Sequence, residues 1–600
     1  MIRLPANASI EALFAQAVSL HGAGQFDAAE QLYRALMERA PKQAAIPFNL
    51  GALLQRTGRS ADAVEAFKKS LRIKPQNADA LNNLGVALQS LEREAEAAEC
   101  FRKAVALKPD AAEAHRNLGI ALRRQGYLES AVESFARSSS LRPNHAETWG
   151  ELGRSLQELG KVEDAIAAYR QALALKPDWA AVHSDLAAAL EMDERSAEAV
   201  EHCRTAIAID GNFAFPYNNL GKSLEALGEI DAAEEAFAKA ISIDPQVAEF
   251  HGNIGNIEMT RRRIDDGIAR YRRAVDLRPD FFEAHVSLGM ALLTQGHQRE
   301  GWAEWEWRWY RRGWLTPSLL FQRPLATDER LDGKTVLLFA EQGFGDVLQF
   351  CRYADLLAER GAKVILKVYR PLLRLMASLS TDYTVVAEDD DEPHSDLRLP
   401  MMSAPFVFGG TIPARHPYLA ADPTQTAQWR QRLSHLPGRR IGLVWAGDPR
   451  PHDPGAHRID KRRSLRLDQF AFLGDIPGIS VVSLQKGQPA AQAAQAPFPL
   501  FDAMAEVNDF ADTAAVMSAL DLIITVDTSM VYLAGALGRP VWMLSRFDGC
   551  WRWGERGDAS PWYPGLHIFR QSRPGDWSAE LHSLKDKILS NNQEFPCVTK

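Results

Sequence analysis

Small and large apolar residues alternate on a fixed period through the first half of the chain. Ala17, Gly51, Gly85, Gly119, Gly153, Ala187, Gly221, Gly255 and Gly289 stand 34 residues apart. Twelve residues after each comes another small one: Ala29, Ala63, Ala97, Ala131, Ala165, Ala199, Ala233, Gly267 and Gly301. Four further on comes a large one: Tyr33, Phe67, Phe101, Phe135, Tyr169, Cys203, Phe237, Tyr271 and Trp305. Apolar positions three and four apart mark one face of a helix. Proline closes most periods (Pro41, Pro75, Pro109, Pro143, Pro177, Pro245 and Pro279), as expected just past a helix end. The pattern predicts a helix–turn–helix repeat stacked nine times. Gly211 replaces the proline and Cys203 the aromatic in the sixth repeat, which is expected to be the loosest.

Beyond about residue 332 the pattern changes to short β-branched runs separated by helical segments. Thr335–Phe339, Lys363–Val368, Ile441–Trp445, Val481–Leu484, Leu522–Val526 and Val541–Leu544 read as strands buried on both faces. Val347–Arg360 reads as a helix stopped by Gly361, and Met530–Leu537 as one stopped by Gly538. Strand, helix, strand in alternation predicts parallel sheets built from βαβ units. The expected fold class is α plus α/β: an α-superhelix over 1–310, a Pro-containing linker over 311–332, a first Rossmann-like lobe over 333–438 and a second over 439–590. Trp302, Trp305, Trp307 and Trp309 would cap the last repeat and join it to the α/β half, because an array end must cover its final face.

Open α/β sheets bind ligands outside the carboxyl ends of their strands. Two loops there are suited to chemistry. After Phe339 comes a loop ending Gly343-Phe344-Gly345-Asp346, whose glycines admit close approach and whose Asp346 is the candidate general base. After Val526 comes Asp527-Thr528-Ser529, which opens a helix; it either caps that helix or offers hydroxyls and helix N–H groups to an anion. Lys486, after the strand ending at Leu484, faces the same crevice. The basic stretch Pro449–Arg466, including Arg463 and Ser464, is either a solvated loop or a phosphate cover. Asp512 and Thr513 begin another helix and serve as caps or donor contacts. Glu388–Glu392 is a solvated acidic loop.

The repeat resembles the tetratricopeptide pattern. Two residues before the marker position stand Asn49, Asn83, Asn117, Asn219 and Asn253, a ladder expected to clamp a polypeptide backbone; Glu151 and Asp185 interrupt it and would favour a basic or amide-rich ligand. The layout is similar to that of eukaryotic O-GlcNAc transferases. In the second half GFGD, WAG, LQKG and VDTSMVYLAGALGRPVW resemble the bacterial heptosyltransferase-like enzymes, two-Rossmann-domain (GT-B) glycosyltransferases. That resemblance implies Asp346 as base, and a nucleotide-sugar donor held by Gly345, Arg463, Ser464, Lys486, Asp512, Thr513, Asp527, Thr528, Ser529 and Tyr532. Tyr532 stands where that family has a donor-binding histidine, so either the donor differs or activity is lost. A bacterial group with this layout modifies flagellin with nonulosonic acids from a CMP-linked donor, and the resemblance implies a protein O-glycosyltransferase with flagellin as acceptor. A lipopolysaccharide-type sugar transferase and a non-catalytic repeat scaffold are the alternatives.

Composition narrows the remaining classes. A net charge of −8 with no long basic face argues against nucleic acid. No 18-residue apolar run exists, and the N-terminus lacks a signal-peptide core. Cys100, Cys203, Cys351, Cys550 and Cys597 are scattered, which reads as reduced thiols in the cytoplasm. HEXXH, paired CxxC and Walker patterns are missing, so no metal or cofactor is expected.

Overall fold

The structure is a computed structural model that describes residues 9–310, 323 and 325–591. Most of the expected 311–332 linker, and Cys597, lie outside the described residues. Contacts divide the chain into two compact bodies, Met1–Gln246 and Val247–Lys600. The helical repeats continue across this division, and the last two pairs belong to the second body.

The first body consists of helix pairs from Ile10–Gly22 and Phe26–Arg39 to Ala214–Ala226 and Ile230–Ile243. The 34-residue pattern has a direct cause. A Cβ on Gly85 would lie 2.5 Å from the Phe101 ring, and the same collision recurs for Gly51 with Phe67 at 2.7 Å and Gly221 with Phe237 at 2.6 Å. The glycine is a socket, and the ring sixteen residues later fills it completely: Phe67, Phe101 and Phe237 are all 0% exposed. In the sixth repeat both members change together. Ala187 and Cys203 are each fully buried. A methyl is gained and a ring lost, so the exchange partly conserves volume and the expected loosening does not appear at this position.

The turns inside the repeats show a second periodicity. Gly58, Gly126, Gly160 and Gly228 take φ of +76 to +83°, and Glu92 and Glu194 hold the same left-handed backbone at 59° and 58° without the glycine that conformation favours.

The second body opens with the pairs Ala248–Thr260 with Ile264–Leu277 and Phe282–Thr294 with Gln298–Trp305. Among the described residues ten strands come after them: β1 Thr335–Phe339, β2 Lys363–Val368, β3 Thr384–Ala387, β4 Leu397–Pro400, β5 Arg439–Val444, β6 Ile479–Ser483, β7 Leu500–Asp502, β8 Leu522–Val526, β9 Val541–Ser545 and β10 Leu566–Arg570. They form two sheets, ordered β3-β2-β1-β4 and β10-β9-β8-β5-β6-β7. Every pairing is parallel, with Leu337 opposite Ile365 and Ile524 opposite Trp542. Each residue of β8 and β9 is buried, which explains their unbroken apolar runs.

Within this body the tryptophan cluster is a weld. Trp302 is fully buried and meets Phe350 and Trp551 edge-on, at ring separations of 5.6 and 5.1 Å. Beside it Arg308, 4% exposed, bonds Glu341, Glu306 and Ser403, and Glu341 also accepts from the Met402 N–H. Burial pushes the Glu341 carboxyl up, and the Arg308 guanidinium opposes that rise. The short helix ending the repeats is thereby tied to the loop that carries Gly343–Asp346.

Candidate functional site

A cleft of about 970 Å³ lies in the second body. It is lined by the loops after β1, β5, β6, β8 and β9, all carboxyl ends of parallel strands, where this topology leaves a crevice. Its other wall comes from the last two helical pairs: Asn256, Met259, Thr260, Tyr271, Ser287, Met290, Thr294 and Trp305.

The loops after β1 and β8 meet directly. Gly345 packs on Tyr532, and a Cβ on Gly345 would lie 3.0 Å from that ring. Tyr532 is 6% exposed, and its ring also meets Trp553 at 5.3 Å. Burial, reinforced by Asp527, holds its phenol well above the usual range, so it stays neutral. The tyrosine that stands where the resembled family has a donor-binding histidine therefore packs the loops after β1 and β8 together.

Asp346 has both oxygens occupied. One accepts from the Gly343 N–H at 3.0 Å; the other pairs with Arg552. Arg552 also bonds Gln349 at 2.9 Å and the Cys550 thiol at 3.3 Å, and lies over the Trp551 ring at 4.3 Å. Burial would lower the guanidinium's pKa, but Asp346, Tyr532 and Cys550 together raise it, so Arg552 stays charged. The candidate general base is thus paired with a buried cation.

The basic stretch after β5 is ordered. Pro454–Arg463 is a helix, capped by Asp453, whose carboxylate accepts from the Ala456 N–H. Arg463 donates to Asp460 at 3.0 Å and to the Asp527 carbonyl at 2.8 Å. Gly447 makes room for this pair, because a Cβ there would meet Asp460 Oδ1 at 2.2 Å. Ser464 does not line the cleft; its hydroxyl accepts from the Gly447 N–H at 2.9 Å. Asp548, after β9, sits between Arg462 at 2.7 Å and Arg546 at 2.9 Å.

Of the expected donor residues, Gly345, Arg463, Lys486, Asp527, Thr528, Ser529 and Tyr532 line the cleft together with Asp346. Thr528 is the helix N-cap, accepting from the Met530 N–H, and lies 3.2 Å from the Thr525 hydroxyl. Lys486 lines the cleft while its ammonium donates to the Val507 carbonyl. Asp512 and Thr513 are elsewhere. Asp512 pairs with Arg374 and accepts from the Asn508 N–H, and the Thr513 hydroxyl donates to the Asp509 carbonyl. The cap of their helix is Asp509, whose carboxylate accepts from the Asp512 N–H. Arg546 and Asp548 were missed, although a strand end just upstream was the available signal.

The asparagine ladder does not line this cleft. Asn117, 5% exposed, donates to Asn82, and Asn219 donates to the Ser184 carbonyl, so both tie successive repeats together. Asn49 donates to the Ala45 carbonyl, Asn83 accepts from Asn82, and Asn253 is half-buried. Glu151 and Asp185 are neutralised by the chain itself: Arg123 and Arg154 bond Glu151, and Arg154 bonds Asp185 at 2.9 Å. They no longer argue for a basic ligand.

Comparison with known proteins agrees with the repeat geometry. Tetratricopeptide repeat models match residues 11–42, 43–110, 82–146, 216–247 and 253–298, and a TPR repeat model matches 153–193. The first half of the chain is a tetratricopeptide array. Protein FlbA of Caulobacter vibrioides is 26% identical over 330 residues, covering 48% of this chain and 52% of that protein. The chain thus spans about half the length of the curated relative it matches. Among solved structures, MamA is 26% identical over 27% of this chain and 95% of its own, with a TM-score of 0.26. YrrB, described as a TPR protein with an unusual peptide-binding site, is 20% identical over 31% and 95%, with a TM-score of 0.29. Among the described residues no helix is long and apolar enough to cross a membrane, and no group of three or more His, Cys, Asp or Glu is placed to hold a metal ion.

Proposed function

We propose that the chain is a cytoplasmic, metal-independent protein O-glycosyltransferase of the GT-B type, and that its tetratricopeptide array engages a polypeptide acceptor. The observation that carries this reading is the convergence of five strand ends on one cleft furnished with Arg463, Lys486, Arg546 and Arg552. Cations fixed by carboxylates resist reorganisation, which suits stabilisation of a departing phosphate. Arg552 and the helix opened by Thr528 and Ser529 would face the donor phosphate. Asp346 would hold Arg552 in place. Six cations line the cleft (Arg450, Arg462, Arg463, Lys486, Arg546, Arg552) against four carboxylates (Asp346, Asp448, Asp527, Asp548), 6 − 4 = +2, which favours an anionic donor such as a CMP-linked nonulosonic acid. Flagellin is the first acceptor to try, on the resemblance of the layout to flagellin-modifying enzymes.

The competing reading is a binding scaffold on a retired enzyme fold. The engagement of both Asp346 oxygens favours it. Calorimetry of the full chain against CMP, UDP, GDP and ADP, with mass analysis of flagellin after incubation with donor, separates the two. Nucleotide binding and a mass increase support the enzyme; a folded protein that binds none of the four nucleotides is a scaffold.

A further inference from the structure

The two walls of the cleft differ in kind. The α/β wall is dense with ions. The wall supplied by the last two repeats holds no charged side chain: Asn256, Met259, Thr260, Tyr271, Ser287, Met290, Thr294 and Trp305. Its polar groups are arranged by their own bonds. Tyr271 donates to Asn256 Oδ1 at 2.8 Å, which leaves the amide Nδ2 as the end available to a ligand. The hydroxyls of Thr260 and Thr294 donate to the carbonyls of Asn256 and Met290, at 3.0 and 2.8 Å, so each keeps lone pairs and no proton to offer. Trp305 is 8% exposed, and its indole N–H has no hydrogen-bond partner among the described residues. That N–H has almost no accessible surface, so Trp305 offers the cleft the apolar surface of its ring and not a donor.

We infer that this wall receives the acceptor as an extended, uncharged stretch of polypeptide, with small side chains around a hydroxyl residue. This rests on the glycosyltransferase reading and names the acceptor segment for that site. The Asn256 amide donor with the Thr260 and Thr294 acceptors matches the alternating C=O and N–H groups of an extended backbone. A charged side chain pressed against Met259, Met290 and Trp305 would lose its hydration without finding a partner. The position is also informative: Ser287 occupies in the ninth repeat the place that the asparagine ladder holds in earlier ones, and it alone among the ladder places lines the cleft.

The test uses the full chain with three fluorescein-labelled peptides, monitored by anisotropy. One is built from Ala, Gly, Ser and Thr around a central Ser; the other two carry Lys or Glu on both sides of that Ser. Transfer is read by mass from a CMP-linked nonulosonic acid, and CMP affinity by calorimetry. The neutral peptide should bind about tenfold or more tightly than either charged one. Asn256→Asp, which keeps the shape and the oxygen for Tyr271 but replaces the amide donor with a charge, should weaken the neutral peptide several-fold and leave CMP affinity alone. Met290→Glu should shift the ranking toward the Lys peptide. Equal affinities, a preference for a charged peptide, or an unchanged ranking in Met290→Glu overturns the inference. Neutral-peptide binding with neither CMP binding nor transfer supports the inference about the wall and overturns the glycosyltransferase reading; CMP binding without peptide discrimination does the reverse.

Discussion

Replacing Asp346 with Asn separates two roles that a simple activity loss would confuse. Asn retains an oxygen for the Gly343 N–H but removes the charge that faces Arg552. The guanidinium side chain is 10% exposed and the carboxylate 19%, so the pair is mostly shielded from water. Breaking a buried pair from one side costs about 3–5 kcal/mol, and the exposed edge of Asp346 brings the expectation to about 2–4 kcal/mol. The thermal midpoint should fall by several degrees. Arg552→Met keeps the stem against Trp551 and leaves a less deeply buried carboxylate, so it should cost less. The double variant removes both charges and should recover most of the loss. If Asp346 acts only by fixing Arg552, the two single variants and the double lose transfer by similar factors. If Asp346 is the base, Asp346→Asn loses about 10²–10⁴ in rate whether or not Arg552 is present. Scanning calorimetry and transfer rates for the four proteins give the cycle. Strict additivity in both stability and rate would refute the anchoring argument.

The packing leads to three further expected outcomes. Gly85→Ala drives a methyl into the Phe101 ring and should destabilise the first body by about 1–3 kcal/mol, while Gly85→Ala with Phe101→Cys, copying Ala187 and Cys203, should recover part of that; denaturant unfolding measures both. His183 and His202 face each other Nδ1 to Nδ1 at 3.0 Å, with His183 Nε2 on the Pro177 carbonyl and Arg170, Glu198 and Glu201 nearby. Burial and then His183 hold the His202 imidazole below the usual 6.5, so the unfolded chain binds the proton more readily: stability is complete above that value and declines as pH falls below it, and His202→Gln should flatten this part of a midpoint-versus-pH curve. Removing residues 1–246 should leave a body that binds nucleotide, whereas removing 1–310 strips the partners of Phe350 and Trp551 and should yield aggregate in size-exclusion chromatography.

The repeat was legible because the marker glycines Gly51, Gly85, Gly119, Gly153, Gly221 and Gly255 each meet a ring within one repeat, so a local contact leaves a periodic mark. The central strands were legible because burial on both faces leaves almost no polar position in them. β3, β7 and β10 escaped because they carry half-buried or exposed residues that blur the run, and β4 because it is only four residues long. The left-handed turns at Glu92 and Glu194 escaped for a related reason: glycine marks that conformation in the sequence and glutamate does not. At the cleft, Asp346 and Asp527–Ser529 were found from their place after strands, and Arg546 and Asp548 could have been. What could not be read was occupancy. Whether a carboxylate faces a ligand or an arginine depends on residues some two hundred positions away, as with Asp346 and Arg552.

The dependence of the cleft on the last two repeats bears on how such a chain could be recombined. A crossover near residue 311, where the amino-acid pattern changes, would graft a foreign final repeat onto these sheets. It would lose the Arg308–Glu341 bond, the Trp302 socket and one wall of the cleft together. A crossover near residue 246 leaves all three intact. Chimaeras meant to redirect the array to a new partner should therefore exchange seven repeats and keep two, and the natural seam for inheritance lies inside the array, where no change of composition marks it.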